Sequence, residues 1–392
     1  MTAVAARAAG QATDPSPIRI EAVRGRRQLD RFIRLPGRLY AGHAGYVEPL
    51  TFERRAALGH KANPYFQHAK AEYWLAWRGA RLVGRISAQI DDLSLERYQD
   101  ATGHFGLLDA EDDPVVFAAL IATAEDWLRD HGMRRARGPF NLSINEESGL
   151  LIEGFHTPAV MMMGYAPPYA GPRVEALGYA KVKDLIAYDY DVTKASAGGR
   201  ELLRRAAGSE SVELRMMNMA RYHQDLGVIL DIFNDAWSRN WGFVPFTEAE
   251  MTRVAKEMRP LIRPEMVWIA SINATPAAMI VCLPNLNEAI ADLDGRLLPF
   301  GWLKLLWRLK FGGLRTSRVV MMGLRRAYRN TPLGSAVVLM MIESLRARMD
   351  ANGFHRAELS WVLEDNRPMR AMIEGIGGDP YKVYRIYEKA LG

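Results

Sequence analysis

Residues 329–345 read RNTPLGSAVVLMMIESL, and their types suit the binding of a phosphate. A run of β-branched and methionine residues (319–322) enters a short basic turn at Arg329. The turn opens a helix of more than four turns through Gly334 and Ser335. The first N–H groups of a helix have no partners of their own, and the helix dipole favours an anion beside them. Strand, basic turn, small residues and helix together predict a phosphate cradle. A second set of chemical groups lies in the loop RGPFNLSINEESGLLIEGF (residues 137–155). There Asn141, Ser143, Asn145, Glu146 and Glu147 offer groups that could bind a substrate, in a long polar loop between apolar runs. The plainer reading is a Gly-Pro-punctuated turn whose side chains satisfy its own backbone. Asn240 before Trp241, and Asn285 and Asn287 near a strand end, are further pocket candidates, each also readable as a turn or cap residue. The eight histidines show no H-x-x-x-H or other ligand spacing, and Cys282 is the only cysteine, so no metal is expected. No G-x-S-x-G elbow is present, which argues against a serine hydrolase.

These groups need a scaffold, and 392 residues suit two domains of ordinary size. A content of 49% apolar and 24% charged residues is that of a globular protein, and the net charge of +6 favours anionic partners. A single cysteine excludes an internal disulfide and fits a cytoplasmic setting. Residues 1–17 are Ala-rich and polar and read as a disordered lead. No stretch approaches the roughly 20 apolar residues that span a bilayer. From residue 18 the pattern gives a strand, a basic helix, a hairpin (residues 73–90), a third strand (103–108) and a helix opened by Asp113-Pro114. A short strand, a long loop and a terminal strand (184–190) complete the unit. Residues 212–392 repeat that order, ending in a strand over 380–387. The expected architecture is therefore α+β, with a unit over 18–190, a linker over 191–211 holding Gly198-Gly199, and a second unit over 212–392.

The second unit resembles the GNAT superfamily of acyl-CoA-dependent N-acyltransferases, in which each unit is a mixed, mostly antiparallel sheet flanked by helices. That family carries R/Q-x-x-G-x-G/A between its fourth strand and the next helix, and Arg329-Asn330-Thr331-Pro332-Leu333-Gly334 fits it with Pro332 in place of the first glycine. Proline has no N–H, so one phosphate donor is missing. The resemblance implies acyl-CoA as co-substrate, held by Arg329, Gly334, Ser335 and Asn366, with a strand-edge N–H around Gly323 and Leu324 polarising the thioester. Glu364 is a candidate base, Glu146 another. The tyrosine that often acts as general acid in the family falls at Ile373 here. Tyr384 and Tyr387 alternate with apolar residues on the last strand, and one of them could supply the leaving-group proton, although a core tyrosine with a bonded hydroxyl is the plainer reading. Asn141, Asn145, Asn240, Trp241 and Asn287 are the candidates for the acceptor pocket. In the first unit the corresponding turn is acidic (residues 109–113), so no acyl-CoA is expected there.

The phrases NWGFVP (240–245), ELSWVLEDN (358–366) and YKVYRIYEK (381–389), together with the long loop, resemble tandem GNAT proteins that include the bacterial ceramide synthases. That resemblance implies an amphiphilic amine acceptor, a sphingoid base among the candidates. Residues 297–313, LLPFGWLKLLWRLKFGG, independently suggest lipid. On a helical wheel Lys304 and Arg308 share one side, while Trp302, Leu305, Leu306 and Leu309 cluster opposite, which suits either a peripheral membrane contact or a core helix between the units. Two other functions fit the same fold: transfer from aminoacyl-tRNA, and binding of CoA or lipid without catalysis. Against the first, no dense Lys/Arg patch interleaved with aromatic residues is present, so nucleic acid is not an expected partner.

Overall fold

The computed structural model describes residues 16–194 and 199–392. The expected lead, up to residue 15, and Gly198 of the expected linker lie outside the described residues. Gly199–Ala206, within that linker, is a helix. The first unit contributes strands β1 (Ile18–Ala22), β2 (Ala69–Arg78), β3 (Arg81–Asp91), β4 (Thr102–Ala110), β5 (Arg135–Gly138), β6 (Phe140–Asn141), β7 (Glu147–Ser148), β8 (Leu150–Glu153) and β9 (Ala180–Asp191). The second contributes β10 (Val212–Met216), β11 (Val267–Ile272), β12 (Thr275–Pro284), β13 (Thr316–Leu324), β14 (Arg356–Leu363) and β15 (Gly378–Ala390). The chain is α+β, and each unit is a mixed, mostly antiparallel sheet flanked by helices. Two pairings are parallel, β4 with β5 and β13 with β14, at equivalent places in the two units.

The two sheets are continuous, in the order β1-β2-β3-β4-β5-β15-β9-β14-β13-β12-β11-β10, with β8 added on β15. The last strand of each unit therefore sits beside the other unit's penultimate strand. β15 pairs with β5, β9 pairs with β14, and the two exchanged strands pair with each other. The side chains follow. Tyr384, Ile386 and Tyr387 of β15 belong to the same core as Phe105, Val116 and Leu120 of the first unit. Tyr190 and Val192, at the end of β9, pack with Val337 and Met341 of the second.

The helix after each fourth strand is started by the same device. At Pro114–Asp130 the Asp113 side chain accepts from Val115 N at 2.8 Å, and at Pro332–Ala351 the Thr331 hydroxyl accepts from Gly334 N at 3.0 Å. Each cap is followed by proline, whose missing N–H costs nothing in the first turn. The Trp-rich helix, Gly301–Lys310, divides differently from the sequence expectation. Leu305 and Leu309 turn inward to pack on the core, while Trp302, Leu303, Leu306 and Trp307 face outward. Lys304 and Arg308 do share a side, since both pair with Asp292.

Candidate active site

β13 and β14 run parallel from Thr316↔Arg356 to Val319↔Leu359 and then part. Beyond that point Val320 to Leu324 have no strand opposite them on the β14 side. Val320, Met321, Met322 and Leu324 are only half-buried although they lie in the middle of a long sheet. On its other side β14 shifts register against β9 between Leu359 and Val362, so Ser360 and Trp361 are unpaired on both sides. Such an opening in a sheet exposes backbone N–H and C=O groups that an extended ligand can use. Trp237 closes one wall: its indole donates to Met322 O at 3.3 Å and its ring lies 5.7 Å from that of Trp361.

The first unit has the same parting and fills it. β4 and β5 pair only from Thr102 to His104 on the β4 side. The chain then turns back so that Phe140 O stands 1.7 Å from where a Cβ on Gly106 would be. Asn141 Oδ1 accepts from Leu107 N at 2.8 Å, and the fully buried Gln89 donates to Phe140 O and Leu142 O. Only glycine at position 106 permits that approach. The acidic turn of this unit was expected to repel phosphate by charge. In the fold its acids are matched by cations, Asp109 with Arg85, Asp112 with Arg173 and Asp113 with Arg78.

A buried polar cluster lies where the second cleft begins. Arg318, 4% exposed, donates to Ser360 Oγ at 2.9 Å and to Met161 O at 2.9 Å. Ser360 in turn donates to Glu358, which also accepts from Tyr381. Lys382 donates to Pro158 O at 2.7 Å and stands 3.9 Å from Glu358. Burial lowers its pKa, against the raising effect of Glu358. Tyr384 is fully buried within the fields of Glu358, Arg318 and Glu147, and its hydroxyl meets no partner among the described residues. Burial and those carboxylates push it well above the usual tyrosine range, so it stays protonated. Arg318 and Glu358 escaped the sequence reading. Their signal was a charge inside an apolar run on central strands, where an unpaired charge is too costly to keep.

The candidate residues divide sharply. Glu146 is half-buried, with no ion pair among the described contacts, and burial raises its carboxyl to about 7 against the pull of Arg253 and Arg54. Its neighbour Glu147 is tied to Arg54 and accepts from Asn141 Nδ2 at 2.7 Å. Glu364 is partly exposed, pairs with Lys181 at 2.6 Å and accepts from Asp184 N at 3.1 Å. Asn366 caps the helix Arg367–Gly375, and Ile373 is buried between Ile186, Tyr188 and Val362. Asn145 and Asn287 donate to Val244 O and Ala159 O and thus hold loops. Trp241 lies against Arg137 and Lys183, over a pocket lined by His104, Phe140 and Ser143, on the side of the plugged cleft. That pocket offers about 20 Å³, room for a water and no more. Among the described residues no hydrogen bond is made by the Asn240 side chain; its backbone N–H donates to Trp237 O.

At the basic turn, Gly334 is required: a Cβ there would lie 2.1 Å from Tyr328 O. Among the described residues the N–H groups of Asn330 and Leu333 find no acceptor. Arg325 and Arg326 are held by Asp231 and Asp235, and the exposed Arg329 donates to Ala236 O. Ser335 is exposed beside them, while Gly323 is pressed against Ala236 and Ile232, with half-buried Leu324 following it. Among the described residues no group of three or more His, Cys, Asp or Glu could hold a metal ion.

No family model matches the sequence. The chain is 48% identical over 365 residues to a bacterial ceramide synthase of Caulobacter vibrioides, covering 93% of this chain and 95% of the relative. It is 45% identical over 365 residues to the protein YghO of Escherichia coli, with 93% of each covered. In fold it matches a tandem GNAT protein from the clavulanic acid biosynthesis pathway, at a TM-score of 0.56, 13% identity and coverage of 96% and 99%. A GCN5-related N-acetyltransferase from Sphaerobacter thermophilus aligns at 0.54, with 13% identity and 97% of each chain covered. Opened and plugged clefts at equivalent places are thus two versions of one GNAT unit, and the chain belongs to the bacterial ceramide synthase family of tandem GNAT-fold N-acyltransferases.

Proposed function

We propose that this chain transfers a long-chain acyl group from acyl-CoA to the amine of a sphingoid base. The carrying observation is the open parting of β13 and β14, which leads to the basic turn at one end and to the buried polar cluster at the other. The name of the Caulobacter relative supports the choice of acceptor. The donor's phosphates fit the turn at Asn330–Gly334, where free N–H groups begin the helix Pro332–Ala351 and the Arg329 side chain is near. Pro332 leaves that cradle one donor short of the usual GNAT turn. The pantetheine arm then follows the unpaired edge of β13, bringing the thioester toward Gly323 and Leu324.

An ammonium cannot attack a thioester, so the acceptor must first give up a proton. Glu146 suits that role because a base titrating near 7 is ionised at working pH and still holds a proton well. Arg54 and Asn141 hold the neighbouring Glu147 and so fix the loop that carries Glu146. Glu146 takes the ammonium proton and hands it to solvent. The free amine then attacks to form the C–N bond. The proton it carries into the adduct passes through Glu146 to the sulfur as the C–S bond breaks, and CoA leaves as the thiol. Tyr384 acts as a hydrogen-bond donor at the reacting centre rather than as the proton source. A thiol of pKa about 8.5 cannot draw a proton from a phenol held well above 10 without an uphill step.

Incubation of the purified protein with long-chain acyl-CoA and sphinganine or its 3-oxo form should yield amide and free thiol together. Absence of both across several chain lengths overturns the reading. Burial raises Glu146 from the usual carboxylate value to about 7, so the active ionised form grows as pH rises through that value. The rate should rise with pH across that window. Glu146→Gln should lower kcat about a hundredfold and flatten the rise. A full-strength pH limb in that variant would move the base to another group.

A further inference from the structure

Seven of the twelve exposed large apolar side chains among the described residues fall within one short segment: Leu298, Phe300, Trp302, Leu303, Leu306, Trp307 and Phe311. Their exposure runs from 45% at Leu306 to 79% at Leu298, values at which a soluble surface gains nothing from such side chains. The middle four are carried by the helix Gly301–Lys310 at positions that repeat along one face, with Phe300 and Phe311 at its two ends. The opposite face is fixed. Leu305 and Leu309 pack on the core, and Arg308 donates to Ala289 O at 2.7 Å and to Asp292 at 2.6 Å. The apolar face is therefore presented by a firmly seated helix.

The segment is also cationic. Residues 291–315 hold Arg296, Lys304, Arg308, Lys310 and Arg315 against Asp292 and Asp294. Arg296, Lys304, Lys310 and Arg315 are exposed, and Asp292 is already spent on Lys304 and Arg308. Two tryptophans with phenylalanine at the rim and lysine beside them form the side-chain mixture that settles at the boundary between headgroups and acyl chains. A second copy of the chain is a poorer occupant, because a two-fold contact through this face would set the same cations against each other. No helix among the described residues is long and apolar enough to cross a membrane, so the contact is with a surface.

We propose that the Gly301–Lys310 helix and its flanks dock the protein on the surface of an anionic phospholipid bilayer. Trp302, Trp307, Phe300 and Phe311 enter the headgroup boundary, and Arg296, Lys310 and Arg315 meet the lipid phosphates. The docked face is tied to the polar cluster. Leu286 packs against the helix's own core, and its neighbour Asn285 accepts from Met161 N at 3.0 Å, while Met161 O accepts from Arg318. The inference does not rest on the acyl-transfer reading, and its test reads no activity.

The full-length protein is mixed with vesicles of phosphatidylcholine, with or without phosphatidylglycerol, and floated on a density gradient. It should rise with the phosphatidylglycerol vesicles and far less with phosphatidylcholine alone, and 0.5 M salt should weaken the difference. Trp302→Ala with Trp307→Ala should lower partitioning at least tenfold, with an unchanged melting temperature because neither side chain fills the core. Arg296→Glu with Lys310→Glu should remove the preference for anionic vesicles. Absent flotation of the wild type, or flotation unchanged in the Trp pair, overturns the proposal. So does a concentration-dependent dimer, seen by sedimentation, that the Trp pair abolishes, since that assigns the face to a second copy.

Discussion

A hydroxyl buried without a partner costs a fold about 1–3 kcal/mol, so Tyr384 should have been replaced by phenylalanine if packing were all it did. That makes Tyr384→Phe a test with two opposed readouts. The melting temperature should hold or rise, because an unsatisfied group is removed and the ring remains. The rate should fall about tenfold to a hundredfold, as when one preorganised donor is taken from a reacting centre. A variant with unchanged kcat places the hydroxyl outside the chemistry. The sequence marks Glu146 as an acid in a long polar loop and Tyr384 as one of two tyrosines alternating with apolar residues on the last strand. Nothing local marks the ion pair of Glu364, because its partners, Lys181 and Asp184, lie far away in sequence on a strand borrowed from the other unit. Arg318 and Glu358 reach their partners across strands in the same way, and no local spacing announces such contacts.

At the scale of the element, the turn between β13 and the helix Pro332–Ala351 depends on one missing side chain. A Cβ on Gly334 would stand 2.1 Å from Tyr328 O, a backbone atom that cannot step aside without moving the whole turn. Gly334→Ala should therefore displace the N–H groups of Asn330 and Leu333. We expect KM for acyl-CoA to rise at least tenfold with a smaller change in kcat, as loss of a ground-state contact does. Gly353→Ala, beyond the other end of the same helix, is the control. Nothing lies within 4 Å of its Cβ, so strain at its φ of +80° should lower stability by about 1 kcal/mol and leave KM alone. Equal effects at both glycines would separate the turn from donor binding. The turn was readable because its signals are local: a strand run, a basic residue, a cap, a proline and a glycine within a dozen positions. The plug in the first unit was not. It depends on Gly106 meeting Phe140, more than thirty residues on, and nothing local to either residue signals it.

For the whole molecule, the exchange of β9 and β15 decides whether the two units are separable. Sequence order repeats cleanly from one unit to the other, and both terminal strands carry the same alternation, so the pattern allows each strand to close either sheet. The cores show which arrangement is used. Tyr384, Ile386 and Tyr387 are fully buried in the first unit's core although they come from the chain's last strand. Side chains of this size contribute about 1.5–3 kcal/mol each when buried, and a domain's whole margin is about 5–15 kcal/mol. A fragment of residues 1–194 lacks that strand and leaves β9 with both edges bare, since its two neighbours are β15 and β14; residues 199–392 lack β9 between β14 and β15. Each fragment expressed alone should therefore stay unfolded or aggregate, since an exposed long strand is also a template for wrong pairing. Co-expressed, they should associate without a covalent link and recover the acyl transfer of the intact chain. A fragment that is monomeric and shows cooperative thermal unfolding by itself would mean that a unit can fold its own terminal strand back, and the exchange would then be a choice between two closures rather than a requirement of the sequence.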